Sequence, residues 1–204
     1  MSEDKNHPKQ FTFALVPKFT NYSFFDAAGE GCVAMAAELG NVTCKYVGTD
    51  VGKAEAQADL IVSLIDQGID GLSVAVIDEE ITGKAIRKVI EAGIPVITFD
   101  SDAASSGRLA YIGTDNHAFG SELGKVLLQL RPQGGEFGAL SGNMHAPNLN
   151  LRLQGLRDRL EGSSWIEAEE SPKYCNDNIA LSIEQMFEFG ENPRISAILS
   201  VGGW

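Results

Sequence analysis

Aromatic residues follow the first apolar run of the chain, at a place where a ligand could be bound. The apolar run 11–17 is followed by the segment KFTNYSFF, which contains Tyr22, Phe24 and Phe25. Aromatic rings present flat apolar faces, which can stack on the C–H faces of a pyranose or a similar ring. These residue types indicate binding of a small ring-shaped ligand.

Polar residues follow several later apolar runs and could bind the hydroxyl groups of such a ligand. Asp100 ends an apolar run, and Thr114, Arg152 and Asn176 lie in or after predicted loops farther along the chain. A carboxylate accepts hydrogen bonds from vicinal hydroxyls and a guanidinium donates them, and such charge-assisted bonds are strong. We therefore predict a small polyhydroxy ligand.

Each of these residues also has a purely structural interpretation. Phe24 and Phe25 open a predicted helix, where aromatic side chains often belong to the core. Asp100 could cap a turn. Arg152 could be a surface residue of an amphipathic helix, paired with Asp158 or Glu161.

Sequence motifs for catalysis are missing. The chain has neither the GxxxxGK[ST] phosphate loop nor the GxSxG nucleophile elbow, and AAGEG lies within a predicted helix. His117 and His145 lack the spacing of metal ligands. We therefore expect no catalytic residue, no metal and no cofactor.

The charge balance excludes two classes of partner. The 204 residues include 28 acids and 16 bases, for a formal charge of −12. An acidic surface repels phosphate backbones and anionic headgroups, so we expect no nucleic acid partner and no membrane-surface partner. The chain has no apolar run of about 18 residues, which argues against direct insertion into a membrane.

The first ten residues and the cysteines leave the compartment open. Residues 1–10 are polar, so we expect a disordered tail that is not a signal peptide. Either a leader has been removed or the protein stays in the cytoplasm. Cys32 and Cys44 fall on a predicted helix and the next strand, so a bridge is possible, but we expect packed free thiols.

Apolar runs of strand length alternate with amphipathic segments of helix length in both halves of the chain. This order predicts parallel sheets with right-handed crossovers. In the first half, strands are predicted at 11–17, 43–47, 71–76 and 95–99, and helices at 24–39, 53–67 and 81–92. In the second half, strands are predicted at 109–113, 136–140, 166–169 and 195–201, and helices at 116–130, 150–160 and 179–189.

The polar segment 100–108 predicts a linker between two halves. We expect an α/β protein of two Rossmann-like (flavodoxin-like) lobes, at 11–103 and 104–204. The last predicted strand is followed only by GGW. Parallel lobes usually continue from a strand into a helix, so we expect the second lobe to be incomplete.

Four segments resemble one family in their order along the chain. They are NYSFF at 21–25, GIPVITFD at 93–100, YIGTDN at 111–116 and RLQGL at 152–156. Over residues 11–204 the chain resembles ribose-binding-type periplasmic binding proteins of type I, with an apparent C-terminal truncation. The resemblance implies two lobes that close on a monosaccharide, in the periplasm or outside the cell. It also implies delivery of the sugar to an ABC transporter permease or a membrane receptor.

The resemblance also assigns roles to individual residues. It implies that Phe24 and Phe25 pack against the sugar and that Asp100 binds ring hydroxyls. Thr114 matches a small hydroxyl position, and Arg152 matches the arginine of the second lobe. The chain departs from the family pattern at Ser101, Ala75 and Gly202–Gly203, where the family has arginine, asparagine and Asn-Asp.

Two other functions fit the same fold. The chain could be a sugar-sensing domain of a signalling receptor or of a repressor-type regulator, although the polar tail contains no DNA-binding helix-turn-helix. An enzyme of the doubly wound class is disfavoured by the missing catalytic motifs.

Overall fold

The computed structural model describes residues 9–204, which form two compact units. The first unit ends at Gly113 and the second runs from Thr114 to Trp204. Residues 1–8 of the predicted disordered tail lie outside the described residues. Each unit is an α/β structure with a parallel sheet, which confirms the predicted fold class.

The first unit alternates strands and helices along the chain. Its elements are β1 (Phe11–Val16), α1 (Ser23–Leu39), β2 (Val42–Tyr46), α2 (Ala54–Asp66), β3 (Gly71–Val74), α3 (Glu79–Glu91), β4 (Val96–Phe99), a 3₁₀ turn (Ala104–Ser106) and β5 (Ala110–Ile112). All strand pairs are parallel, in the order β2-β1-β3-β4-β5. The chain leaves β1 toward β2 and then returns to the other side of β1, so the strand order reverses between β1 and β3. Open parallel sheets bind ligands at the carboxyl ends of the strands at such a reversal.

Alternation along the strands decides which side chains enter the core of the first unit. Val16, Val74 and Val96 are fully buried and pack with apolar residues of α2 and α3, such as Leu64 and Val89. Buried β-branched side chains of this kind are typical of parallel strands, which are covered by helices. This core holds the carboxyl ends of β1, β3 and β4 in fixed positions.

The boundary between the units differs from the predicted boundary at 103/104. β5 pairs with β4, with Thr98 opposite Tyr111, so the strand predicted to open the second half completes the first sheet. β5 is a three-residue strand with Ala110 and Ile112 exposed. Its pattern therefore carries no sign of the sheet to which it belongs.

The second unit has three helices and four strands among its described residues. They are α4 (Asn116–Leu130), β6 (Gly135–Ser141), α5 (Pro147–Leu160), β7 (Trp165–Glu167), β8 (Lys173–Tyr174), α6 (Ile179–Glu191) and β9 (Ile195–Ser200). β6 pairs in parallel with β7, β8 and β9. β8, which has two residues, was not predicted from the sequence. The helix predicted at 150–160 begins earlier in the structure, at Pro147, and proline is a typical first helical residue.

Glycines allow α4 and α5 to pack with their backbones in contact. A methyl group at Gly120 would overlap the carbonyl of Arg152, and one at Gly155 would overlap the carbonyl of His117. Only glycine permits this approach, because any β-carbon would push the two helices apart. The contact places the Arg152 turn of α5 directly against α4.

The two cysteines of the first unit form a disulfide, so the expectation of free thiols at Cys32 and Cys44 is wrong. The bridge joins α1 to β2, and the two Cα atoms are 5.9 Å apart. The α1–β2 connection brings the two residues within bridging distance, which spacing along the sequence does not show. Cys175 is a buried free cysteine.

Candidate functional site

A lysine and an aspartate meet at the carboxyl edge of the first sheet. Lys18 follows β1 and Asp100 follows β4, and Lys18 Nζ lies 3.4 Å from Asp100 Oδ2. The two side chains are only 11% and 15% exposed. An ion pair that is largely shielded from solvent forms strong, oriented hydrogen bonds with the hydroxyl group of a ligand. The pair therefore suits a neutral polyhydroxy ligand.

The backbone conformation of Asp100 is uncommon and is held by its neighbours. Its φ of 58° lies in the left-handed region, which favours glycine or asparagine. The Asp100 N–H donates to Ile112 O at 3.2 Å, and the Tyr111 hydroxyl donates to Asp100 O at 2.8 Å. β5 thus fixes the direction in which the Asp100 carboxylate leaves the sheet. Functional sites often contain such strained residues.

The predicted aromatic pair is divided between surface and core. Phe24 is 56% exposed, whereas Phe25 is 4% exposed and packs edge-on against Phe19 and Phe99. Tyr22 precedes α1 and packs against Phe19, with ring centroids 5.4 Å apart. The geometry makes Phe24 the ring available for stacking, with Phe25 behind it as support. The role of each ring in ligand binding stays a prediction.

A second aspartate on the same loop is occupied by an ion pair. Asp102 accepts hydrogen bonds from Arg108 Nε at 2.8 Å and from the Thr98 hydroxyl at 2.5 Å. Burial alone would raise the pKa of the Asp102 carboxyl, but the bonds from Arg108 and Thr98 outweigh it and lower that pKa. The pair joins the two ends of the loop between β4 and β5.

The lowered pKa of Asp102 predicts a pH-dependent contribution to stability. Because the folded pKa lies below the unfolded value of about 3.9, the contribution is complete above that value and is lost as the pH falls through the folded pKa. We expect the stability difference between the wild type and Asp102→Asn to be larger at pH 7 than at pH 2.5, as measured by urea unfolding.

The exposed residue Asp59 provides a matched control for this experiment. Asp59→Asn should show the same small difference from the wild type at both pH values. An Asp102→Asn difference that does not shrink in acid would contradict the assignment.

In the second unit, Arg152 is held by three neighbours. Its Nε donates to Asn116 Oδ1 at 2.8 Å and one terminal nitrogen donates to Val201 O at 2.8 Å. The guanidinium lies 4.6 Å from the centroid of the Phe119 ring. The alternative pairing of Arg152 with Asp158 or Glu161 stays a prediction, and Asp158 Oδ2 contacts His117 Nε2 at 2.7 Å. Arg152 therefore has a fixed position at the carboxyl ends of β6 and β9.

The loop after β8 lies at the same edge of the second sheet. Asn176 and Asp177 have φ values of 50° and 59°, and the Asn176 N–H donates to Gly142 O. Asp177 Oδ1 accepts a hydrogen bond of 2.8 Å from Trp204 Nε1. Asn176 is exposed at this turn, as is Thr114 at the start of the unit. The roles predicted for Asn176 and Thr114 in ligand binding stay predictions.

Several residues that organise these edges were not predicted as site residues. Lys18 lies in the aromatic segment that follows β1, but only its contact with Asp100 distinguishes the lysine from its neighbours. Asn116 and Phe119 orient Arg152 from another helix, and Gln57 binds the loops after β1 and β3. The sequence signal for Gln57 is an amide residue on the otherwise apolar face of a predicted helix.

The described residues 9–204 contain no cluster of histidine, cysteine and acidic side chains that could hold a metal ion. Among the same residues, no helix has the length and apolar character needed to cross a membrane. The carboxyl edge of the first sheet presents hydrogen-bonding and stacking groups, which can bind a polar ring.

Residues 13–204 match the periplasmic binding protein domain family. The match covers nearly the whole chain. The chain belongs to this family. The resemblance found in the sequence is thereby confirmed, and the family consists of substrate-binding proteins.

Two curated relatives are named for sugars. The chain is 24% identical to the xylose/arabinose-binding protein XylF of Sulfolobus acidocaldarius over 170 residues, which is 78% of this chain and 42% of that protein. It is also 24% identical to the D-ribose/D-allose-binding protein of Pseudomonas aeruginosa over 165 residues, which is 76% of this chain and 51% of that protein. The chain thus spans about half the length of these relatives.

A solved structure of an ABC transporter solute-binding protein shows the same fold. This protein, from Burkholderia graminis, was solved in complex with D-arabinose. It is 24% identical, with a TM-score of 0.86, and the match covers 97% of this chain and 68% of the other. The likeness confirms the periplasmic binding protein fold for the chain.

Proposed function

We propose that the chain binds a monosaccharide through the groups at the carboxyl edges of its sheets, for delivery to an ABC transporter. The observation that carries the proposal is the shielded Lys18–Asp100 pair at an edge where strand order reverses. The exposed ring of Phe24 adds a stacking group in the same unit. In the second unit, the fixed guanidinium of Arg152 is a donor group at the carboxyl edge of its own sheet. Relatives named for pentoses and hexoses support this ligand class.

The partners and the compartment belong to the same proposal. Membership in a family of periplasmic substrate-binding proteins supports a transporter permease or a membrane receptor as the partner. The Cys32–Cys44 disulfide supports a periplasmic or extracellular location, because disulfides persist in oxidising compartments. We further propose that the chain binds its sugar without chemical conversion. The alternative role as a sensing domain of a receptor or repressor-type regulator stays a prediction.

Thermal unfolding in the presence of sugars tests ligand binding. A ligand that binds only the folded state stabilises it by about 2.7 kcal/mol at a concentration one hundred times its dissociation constant. We expect at least one of D-arabinose, D-xylose, D-ribose and D-allose to raise the melting temperature. Isothermal titration calorimetry then gives the dissociation constant.

Variants of the ion pair locate the binding site. Asp100→Asn keeps the size of the side chain but removes the charge that faces Lys18, so we expect sugar affinity to fall about tenfold to a hundredfold. Asp59→Asn, on the exposed face of α2, should bind like the wild type. Unchanged affinity in Asp100→Asn would remove the pair from the proposed site, and a wild type that binds none of the four sugars would count against the proposed ligand class.

A further inference from the structure

We infer that Gln57, a residue remote from solvent on α2, is a positioning residue that sets the geometry of the Lys18–Asp100 pair. This inference rests on the proposed function, because it assigns Gln57 a role in the affinity of that site. Gln57 is 1% exposed and lies among the apolar residues of the first core. A buried amide without a hydrogen-bond partner destabilises the folded state, so the hydrogen bonds of Gln57 explain its presence in the core.

The side-chain amide of Gln57 uses its full hydrogen-bonding capacity. Its Nε2 donates to Pro17 O at 2.9 Å and to Ala75 O at 2.8 Å. Its Oε1 accepts from Ile77 N at 3.2 Å and from the Thr82 hydroxyl at 2.9 Å. One side chain thus joins the end of β1, the loop after β3 and helix α3, on both sides of the strand-order reversal.

One series of contacts connects the Gln57 amide with Lys18. Pro17, whose carbonyl accepts from Gln57, is the residue before Lys18. A hydrogen bond to that carbonyl fixes the peptide plane between the two residues and thus the direction of the Lys18 side chain. The pyrrolidine ring of Pro17 removes further freedom at its φ angle.

A second series of contacts connects the Gln57 amide with Asp100. Ala75 and Ile77, which both bind the Gln57 amide, flank Val76. The Val76 N–H donates to Ser101 O at 3.2 Å, and Ser101 is the residue after Asp100. Together with the Lys18–Asp100 contact, the two series of contacts form a closed circuit that starts and ends at the Gln57 amide.

Only an amide side chain can donate to the two carbonyls and accept from the N–H and the hydroxyl at the same time. Methionine at position 57 has a similar volume but would leave two carbonyls, one N–H and one hydroxyl without this partner. Glutamate would keep the accepting oxygen for Ile77 and Thr82 but would place a second oxygen against the carbonyls of Pro17 and Ala75. Both changes free the loops after β1 and β3 to move relative to each other.

A double-mutant cycle on sugar affinity tests the inference. With the sugar among the four that binds the wild type best, we expect Gln57→Met and Lys18→Met each to weaken binding about tenfold. Since Gln57 acts through the pair, the double variant should lose much less than the hundredfold product of the two changes. Affinity is measured at 10 °C by calorimetry, after circular dichroism has shown that each variant is folded.

Leu64→Ala is the matched control for loss of stability. Leu64 is fully buried on α2, two turns after Gln57, and is part of the same core. Its truncation should lower the melting temperature and leave the dissociation constant unchanged within about twofold. In the double variant with Lys18→Met, the two changes in dissociation constant should simply multiply. If Gln57→Met does not fold, Gln57→Glu takes its place in the same cycle.

Two results would overturn the inference without touching the proposed function. In the first, the wild type binds sugar, but the loss of sugar affinity in the double variant equals the full product of the losses caused by Gln57→Met and Lys18→Met. The second is a crystal structure of the Gln57 variant in which Lys18 Nζ and Asp100 Oδ2 keep their 3.4 Å separation. Failure of the wild type to bind any tested sugar would instead count against the proposed function, and the crystal structure would still decide whether Gln57 sets the pair.

Discussion

Replacing Gly120 by alanine is expected to destabilise the second unit by about 3 kcal/mol or more. The new methyl group would overlap the backbone carbonyl of Arg152 on α5, and backbone cannot give way as a flexible side chain can. The two helices must then separate, which also opens the packing around Leu156 and Leu160. Urea unfolding followed by circular dichroism measures the loss.

Gly190 is the matched control, since it lies within α6 and a methyl group there would meet nothing within 4 Å. Alanine has a higher helix propensity than glycine, so Gly190→Ala should stabilise the chain by about 0.5–1 kcal/mol. Opposite signs for the two glycine-to-alanine changes are expected. Equal effects would show that α4 and α5 are not in backbone contact.

The same contact has a consequence for the candidate site. Arg152 donates to Asn116 on α4 and lies over the Phe119 ring of the same helix. A wider separation of α4 and α5 would break both interactions. In a Gly120→Ala protein that still folds, we therefore expect sugar affinity to fall along with stability.

Loss of the Cys32–Cys44 disulfide is expected to cost about 2–3 kcal/mol. The bridge closes a short loop with a sequence separation of 12 residues, which restricts the unfolded chain. For a unit of about 100 residues, this corresponds to a fall of roughly 10–15 °C in the melting temperature. Differential scanning calorimetry with and without dithiothreitol measures the shift.

The double variant Cys32→Ala, Cys44→Ala separates the bridge from other effects of the reductant. It should melt near the temperature of the reduced wild type, and dithiothreitol should not lower that temperature further. Cys175 is present in both proteins and thus serves as an internal control. A wild type with the same melting temperature in both buffers would indicate that the two thiols are free in solution.

The sequence by itself determined the order and type of most elements. Apolar periodicity and turn residues are local signals, so the strands around Val16, Val74 and Val96 and the helices between them were predictable. Asp100 and Arg152 could be selected because each follows or faces a strand end, where parallel sheets bind ligands. The family pattern then named Phe24 and Thr114 as further candidates, although their roles stay predictions.

Only the tertiary structure decided which side chains meet. Lys18 and Asp100 are 82 positions apart, and Gln57 binds carbonyls on both sides of the strand-order reversal. The assignment of β5 to the first sheet and the Cys32–Cys44 bridge also depend on contacts across the fold. Hydrogen bonds and ion pairs form over about 3–4 Å in space, whereas sequence patterns report only the local period of burial.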